Sequence, residues 1–318
     1  MTKSRASELP RAAVVGAGRM GHGIALELAR GGYEVSIYDV QRGRARQAIT
    51  EAEQDAADLI AAGVIEEDDV ETIVARIGAV PSIQAAVDGV EVVFEAVAED
   101  LDIKREVFAQ LDQYTRVDTL LLSNTSSIGI TEIAVSCRYP ERVALAHWIL
   151  PPHLIPVVEV APGEQTSEST IVAARKLLES LGKWPIVLRC ELPGYLINRL
   201  QFALLREAME LVGQGVASAT EIDRAVRGSI ARRMPVLGLF GQADTAGLDV
   251  YQQIFRYLAP DLNRGTASPA VLDEAIQSGR TGATSGHGFY PWSPDDVSST
   301  LHRRNAELIR LLRVDRFG

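Results

Sequence analysis

Cysteine is nearly absent from this chain of 318 residues, which has only Cys137 and Cys190, in neither CxxC nor metal-ligand spacing. That excludes a disulfide scaffold, predicts no metal site and suits a reducing cytoplasm. Aromatic residues make up 6% of the chain, too few for the stacking platforms that hold single-stranded nucleic acid. No apolar run approaches the roughly 18 residues of a membrane span. Met1–Arg11 is polar and lacks the apolar centre of a signal peptide. Cations are outnumbered, with 32 Lys and Arg against 42 Asp and Glu and a formal net charge of −10. Such a surface repels polyanions, so neither nucleic acid nor a membrane is the expected partner; a small molecule is. One absence is local. From Gln47 through Ala75 there is no Lys or Arg, but nine acids: Glu51, Glu53, Asp55, Asp58, Glu66, Glu67, Asp68, Asp69 and Glu71.

What is present is an ordinary globular composition, 47% hydrophobic. Ala12–Gly16 is an apolar run that turns into glycines, as a buried strand does. Met20–Arg30 follows with helical period and stops at Gly31-Gly32, and Val35–Tyr38 is a second strand ending at Asp39. A helical pattern over Arg42–Ala75, interrupted near Gly63, leads to strands at Val92–Ala96, Leu120–Ser123 and Val143–His147, with a helix near Lys104–Leu111. Val157–Val160 and Ile186–Leu188 flank a helix near Ile171–Leu181. This alternation predicts a doubly wound α/β domain of Rossmann type. From Pro193-Gly194 onward only helical periods remain, at Tyr195–Val212, Glu221–Val226, Leu248–Leu258, Pro269–Gln277 and His302–Leu312. The expected organisation is an α/β domain over 1–192 and an all-α domain over 193–318.

Gly16-Ala17-Gly18-Arg19-Met20-Gly21 fits GxGxxG between a strand and a helix. Gly16 permits the tight turn, Gly18 lets a pyrophosphate approach the backbone, and Gly21 brings the helix against the strand. A diphosphate would sit at the positive end of the helix dipole, within the turn that includes Arg19 and Met20. Asp39, 18 residues after Gly21, would accept from the ribose hydroxyls and repel a 2′-phosphate, favouring NAD over NADP. Arg42 and Arg44 read as solvated charges opening the next helix, and His22 as a surface residue.

His147 ends a strand where α/β sheets place their ligands, and Glu159 follows 12 residues later on the next strand. A carboxylate in that position fixes the imidazole tautomer and prepares a general base. The ordered motifs GAGRMG, Glu95-Ala96-Val97 with Glu99 and Lys104, Ser123-Asn124-Thr125-Ser126-Ser127, HW…PP…P…VEV and PGYLINRL span nearly the whole chain. Together they resemble the 3-hydroxyacyl-CoA dehydrogenase family, including its lambda-crystallin and L-gulonate dehydrogenase branch. The resemblance implies that His147 takes the hydroxyl proton while hydride passes to NAD, with Glu159 paired to it. It implies that Ser126 and Asn198 bond the substrate oxygen, and that Ala96, Val97, Glu99, Lys104 and Asn124 line the cofactor side. His153 is a candidate substrate contact. Ser126 also reads as a cap for a helix beginning near Ile128, and Lys104 as a solvated helix charge. The helical domain is expected to form a homodimer, both from its apolar helices and as the family does.

Two departures bear on substrate. Leu150 stands where acyl-CoA-acting members carry Asn, and the acidic stretch stands where theirs is lysine-rich. Each unit charge at about 4 Å costs on the order of 1 kcal/mol even in water, so acids at the entrance would repel CoA phosphates. The expected activity is therefore NAD-dependent oxidation of a 3-hydroxy acid or a related small alcohol. An L-3-hydroxyacyl-CoA dehydrogenase is the alternative, and a non-catalytic, crystallin-like NAD-binding protein a second.

Overall fold

In the computed structural model, which describes residues 9–317, the first apolar run forms β1, Arg11–Val15. Residues 1–8 of the polar Met1–Arg11 segment lie outside the described residues. Side chains of β1 alternate between two cores, Ala12 and Val14 on one face of the sheet, Ala13 and Val15 on the other. A strand covered on both faces has no solvent side, which is why its sequence is continuously apolar.

The chain continues as α1 (Gly21–Arg30), β2 (Glu34–Tyr38), α2 (Arg44–Ala61), α3 (Asp69–Val74), β3 (Ile77–Ala79), α4 (Ile83–Ala86) and β4 (Val92–Glu95). Then come α5 (Leu101–Tyr114), β5 (Leu120–Ser123), α6 (Ile130–Ala134), β6 (Val143–Trp148), β7 (Val157–Pro162), α7 (Glu168–Ser180) and β8 (Trp184–Val187). The strands form one sheet in the order β3-β2-β1-β4-β5-β6-β7-β8. All neighbours are parallel except β6 and β7. Chain order reverses at β1, which is flanked by β2 and β4, so a crevice opens beyond their C-terminal ends. The elements not predicted, β3 and α4, have three and four residues, too short to establish a period.

The remaining helices are α8 (Ile197–Gly213), α9 (Ala219–Ala225), α10 (Ala231–Ala246), α11 (Leu248–Leu258), α12 (Ala270–Gln277) and α13 (Pro294–Phe317). The helix α10 was not expected because Pro235 and a non-helical Gly238 interrupt its pattern. Backbone contacts divide the chain after Leu196, with Ile197–Leu301 as the second unit. The expected 193–318 domain differs at its end: from His302 onward, α13 groups with the first unit. Asn305 donates to Asp58 on α2 at 2.7 Å, and Arg313 donates to the Ala61 carbonyl. No helix among the described residues is long and apolar enough to cross a membrane.

Candidate active site

The glycine loop leaves β1 with Gly16 at φ 102°, and a Cβ there would lie 2.4 Å from the Ala96 carbonyl carbon and oxygen. A Cβ on Gly21 would lie 1.9 Å from the Gly16 carbonyl oxygen, so this glycine closes the turn on itself as well as admitting the helix to the strand. At Gly18 a Cβ would meet nothing within 4 Å. The loop is therefore closed below and open above, and no side chain caps the α1 N-terminus. That is the form of an anion cradle fitting a dinucleotide diphosphate. Arg19 is exposed and Met20 half-buried on its rim. Asp39 accepts from the Ala17 amide and the Gln41 amide, each at 2.8 Å, locking the loop to the end of β2. A carboxylate has about four lone-pair sites, so Asp39 keeps capacity for a ribose.

Across the antiparallel pair β6/β7, His147 stands directly opposite Glu159. His147 Nδ1 lies 2.7 Å from Glu159 Oε2, with Glu159 fully buried and His147 nearly so. The Nδ1–H is thus committed to the carboxylate, and Nε2 carries the lone pair. Glu159 Oε1 accepts from the Leu196 amide at 2.8 Å, so both carboxylate oxygens are tied. Tyr195, at φ 50°, is buried with its ring 6.2 Å from the imidazole, and its hydroxyl donates to the Ile128 carbonyl at 2.7 Å. Burial, then the surrounding Glu191, Glu99 and Glu159, push that phenol well above its usual range. Sequence reasoning missed Tyr195; the PGYLINRL motif held it, but its importance depends on a left-handed backbone that a tyrosine rarely adopts.

The segment after β5 is organised from beneath by carboxylates. Asn124 Oδ1 accepts from the Trp148 amide at 2.7 Å, joining the ends of β5 and β6. Glu99 Oε1 accepts from Thr125 Oγ1 and from the amides of Ser126 and Ser127, at 2.7 to 2.8 Å. These bonds and Lys104 outweigh partial burial and keep the Glu99 carboxyl below its usual range. Lys104 is not a solvated charge: it is 1% exposed, 2.8 Å from the buried Glu95 and 3.4 Å from Glu99. Glu95 also accepts from Ser123 Oγ at 2.6 Å and the Val97 amide at 2.8 Å, which fixes the Ala96-Val97 turn. Ser126 is exposed beside this network and does not cap a helix, since α6 begins later, with Gly129 at its N-cap. The local turn is capped by Thr125 Oγ1 accepting from the Ile128 amide at 3.0 Å. Asn198 is half-buried in the first turn of α8, in the second unit.

His22 is a further correction. It is largely buried, with Nδ1 3.0 Å from the Gly18 carbonyl oxygen and Nε2 3.0 Å from Asp55 Oδ2. His153 is buried as well, with Nδ1 3.2 Å from Asp55 and Nε2 3.3 Å from Asp58. Arg44 is half-buried and 2.6 Å from Glu51. Three of the nine acids therefore face inward, while Glu53, Glu66, Glu67, Asp68, Asp69 and Glu71 stay exposed. Their partners lie too far apart in sequence for any local pattern to reveal.

The family profile described as "3-hydroxyacyl-CoA dehydrogenase, NAD binding domain" matches residues 11–191, and the C-terminal domain of the same family matches 194–292. The 5-formyl-3-hydroxy-2-methylpyridine 4-carboxylate 5-dehydrogenase of Mesorhizobium japonicum is 35% identical over 95% of this chain and 97% of its own. A human lambda-crystallin homolog is 31% identical over 95% of both chains. A solved structure of the pyridine carboxylic acid dehydrogenase, described as an NAD+ dependent dismutase, superposes with a TM-score of 0.90 at 32% identity, covering 96% of this chain and 98% of its own. The (S)-3-hydroxybutyryl-CoA dehydrogenase of Ralstonia eutropha superposes with a TM-score of 0.74 at 30% identity, covering 90% of this chain and 100% of its own.

Proposed function

Because the chain belongs to the 3-hydroxyacyl-CoA dehydrogenase family and is an NAD-dependent dehydrogenase acting on hydroxyl groups, we propose that His147 is its general base and that its substrate is a small free hydroxy acid. The observation that carries the first part is the buried His147–Glu159 pair, 2.7 Å apart, with one imidazole nitrogen committed and the other available. Bound NAD supplies the hydride acceptor. In this reading the Gly16, Gly18 and Gly21 loop, with Arg19 and Met20 on its rim, holds the diphosphate. Asp39 holds the adenosine ribose, and Ala96, Val97, Glu99, Lys104 and Asn124 shape the nicotinamide side. His147 Nε2 takes the hydroxyl proton as the carbonyl forms, and Glu159 balances the imidazolium charge. Ser126 hydrogen-bonds the reacting oxygen, where charge changes most.

The preference for a free acid over a CoA thioester rests on two observations. Six exposed acids and no cation lie between Gln47 and Ala75, a poor surface for a ligand with several phosphates. The relative with the higher TM-score acts, by its description, on a pyridine carboxylate. His153, held by Asp55 and Asp58, acts on substrate only through the position of its loop. A homodimer through the helical unit accounts for Val236, Phe240 and Tyr257, each more than 80% exposed there. Two unbridged cysteines agree with a cytoplasmic setting.

The test is NADH formation over free aliphatic hydroxy acids, carboxylated aromatic alcohols and aldehydes, and 3-hydroxybutyryl-CoA. A kcat/KM for a free acid at least tenfold above that for the thioester is expected. The reverse order overturns the substrate assignment and leaves the base assignment standing.

A further inference from the structure

The proposed machinery leaves unused an ionisable cluster made of the half-buried His22, Asp55 and Asp58 and the buried His153. It joins three segments: the first turn of α1, the inward face of α2 and the loop between β6 and β7. A neutral imidazole has one nitrogen that donates and one that accepts. His22 gives neither nitrogen a donor to accept from. Nδ1 lies 3.0 Å from the Gly18 carbonyl oxygen and 3.3 Å from Glu51 Oε2, and Nε2 lies 3.0 Å from Asp55 Oδ2. His153 repeats the pattern, with Nδ1 3.2 Å from the same Asp55 oxygen and Nε2 3.3 Å from Asp58 Oδ2. A bare lone pair at these distances repels a carboxylate, whereas a proton on every nitrogen makes every contact attractive.

The charge census points the same way. Glu51, Asp55 and Asp58 bring three negative charges to this face of α2, and Arg44, 2.6 Å from Glu51, offsets one. Gln47 and Asn305 add only neutral donors, to Glu51 and Asp58. Among the described residues, the charged groups Glu27, Arg30, Lys183 and Asp315 share with His153 the lining of a cavity of about 90 Å³. Glu27 is itself paired to both Arg30 and Lys183. With both imidazoles neutral, two unbalanced carboxylates would stand beside the helix end that is to receive a diphosphate. Among the described residues, no group of His, Cys, Asp and Glu is arranged to hold a metal ion that might balance them instead.

We propose that Asp55 holds His22 as an imidazolium ion and anchors His153 beside it, and that this balance of charge positions the cofactor loop and the loop following His147 for NAD binding. His22, Asp55 and His153 are positioning residues; none is assigned a contact with substrate or cofactor. Burial by itself would lower the His22 pKa, but Asp55, the Gly18 carbonyl and Glu51 outweigh it and raise it. Burial would raise the Asp55 carboxyl, and the two histidines instead hold it down to about 2. The mechanical link is direct, because a Cβ on Gly23, beside His22, would lie 2.5 Å from Pro152 Cγ, beside His153. Lys183 Nζ donates to the Pro152 carbonyl at 2.7 Å while pairing with Glu27 of α1 at 2.8 Å. The inference rests on the reading that the Gly16–Gly21 loop receives the diphosphate.

Two measurements on the full chain test it. In nitrogen-15 NMR of labelled histidines, with His22 assigned by loss of its signals in His22→Gln, that ring is expected to carry two protons at pH 8. An ordinary histidine, with a pKa near 6.5, is neutral there. Finding the His22 ring neutral overturns the proposal without reference to any ligand. In NAD titrations, the wild-type Kd is expected to change less than about twofold between pH 6 and pH 8. Asp55→Asn releases the imidazole protons as pH rises, so its Kd weakens by about fivefold over the same interval. Adding His22→Gln to Asp55→Asn removes most of that dependence. A Kd displaced by one constant factor at both pH values gives Asp55 a merely structural role and overturns the proposal. If the wild type binds NAD but Gly18→Val leaves the Kd unchanged, the loop reading fails instead, and the NMR result still decides the protonation.

Discussion

Two histidine–carboxylate arrangements, one across the strands β6 and β7 and one where α1, α2 and the loop after β6 meet, differ in how many acceptors surround each ring. His147 has one carboxylate, on Nδ1, which leaves Nε2 for the proposed proton transfer. His22 has acceptors at both nitrogens, and in the proposed imidazolium form it has no lone pair to give. One carboxylate prepares a base; acceptors on both sides make a fixed cation. Burial does not separate the two cases, since His147 and His153 are both about 5% exposed.

The contrast is open to attack in order of expected effect. Replacing His147 by Gln removes the proton acceptor and should lower kcat by about a thousandfold, with the NAD Kd within twofold of wild type. Steady-state NADH formation and a fluorescence titration check the pair, and an active variant would erase the distinction. Glu159→Gln keeps the shape but releases the tautomer, and a loss in kcat of about a hundredfold is expected, read in the same assay. Acid unfolding probes the other arrangement. The folded pKa of Asp55 is depressed, so its stabilisation is present above the unfolded value near 4 and disappears as pH falls toward 2. This amounts to about 2 kcal/mol, and urea unfolding at pH 6 and pH 2.5 should show Asp55→Asn missing that part of the change. Smallest, Asp39→Ala should raise the KM for NAD by about tenfold and narrow the preference over NADP, measured with both cofactors.

The legibility of the two arrangements was equally unequal. Twelve residues separate His147 and Glu159, and one strand–turn–strand brings them into register, so strand patterning sufficed to pair them. His22, Asp55 and His153 meet only because α2 lies on α1 and the loop after β6 reaches both, a tertiary arrangement with no local period. The glycine loop was legible down to individual positions because each glycine answers a steric demand, as Gly16 does against Ala96. Lys104 misled because helix charges usually face solvent, whereas here a buried Glu95 draws the ammonium inward. Among the secondary elements, β5 and α11 keep their predicted limits. The π-helical turn Val226–Ile230 and kinked α10 went unread because their geometry breaks the period that reveals a helix.

The hydrogen bond from the Leu196 amide to Glu159 Oε1 has a consequence for recombination. A chimera that joins this α/β half to a foreign helical half at the motif boundary, after Leu192, would replace the very backbone that steadies the carboxylate. A graft made after Leu196 carries Tyr195 and that amide along with the sheet. A seam that keeps this bond intact therefore lies four residues beyond the place where the sequence changes character.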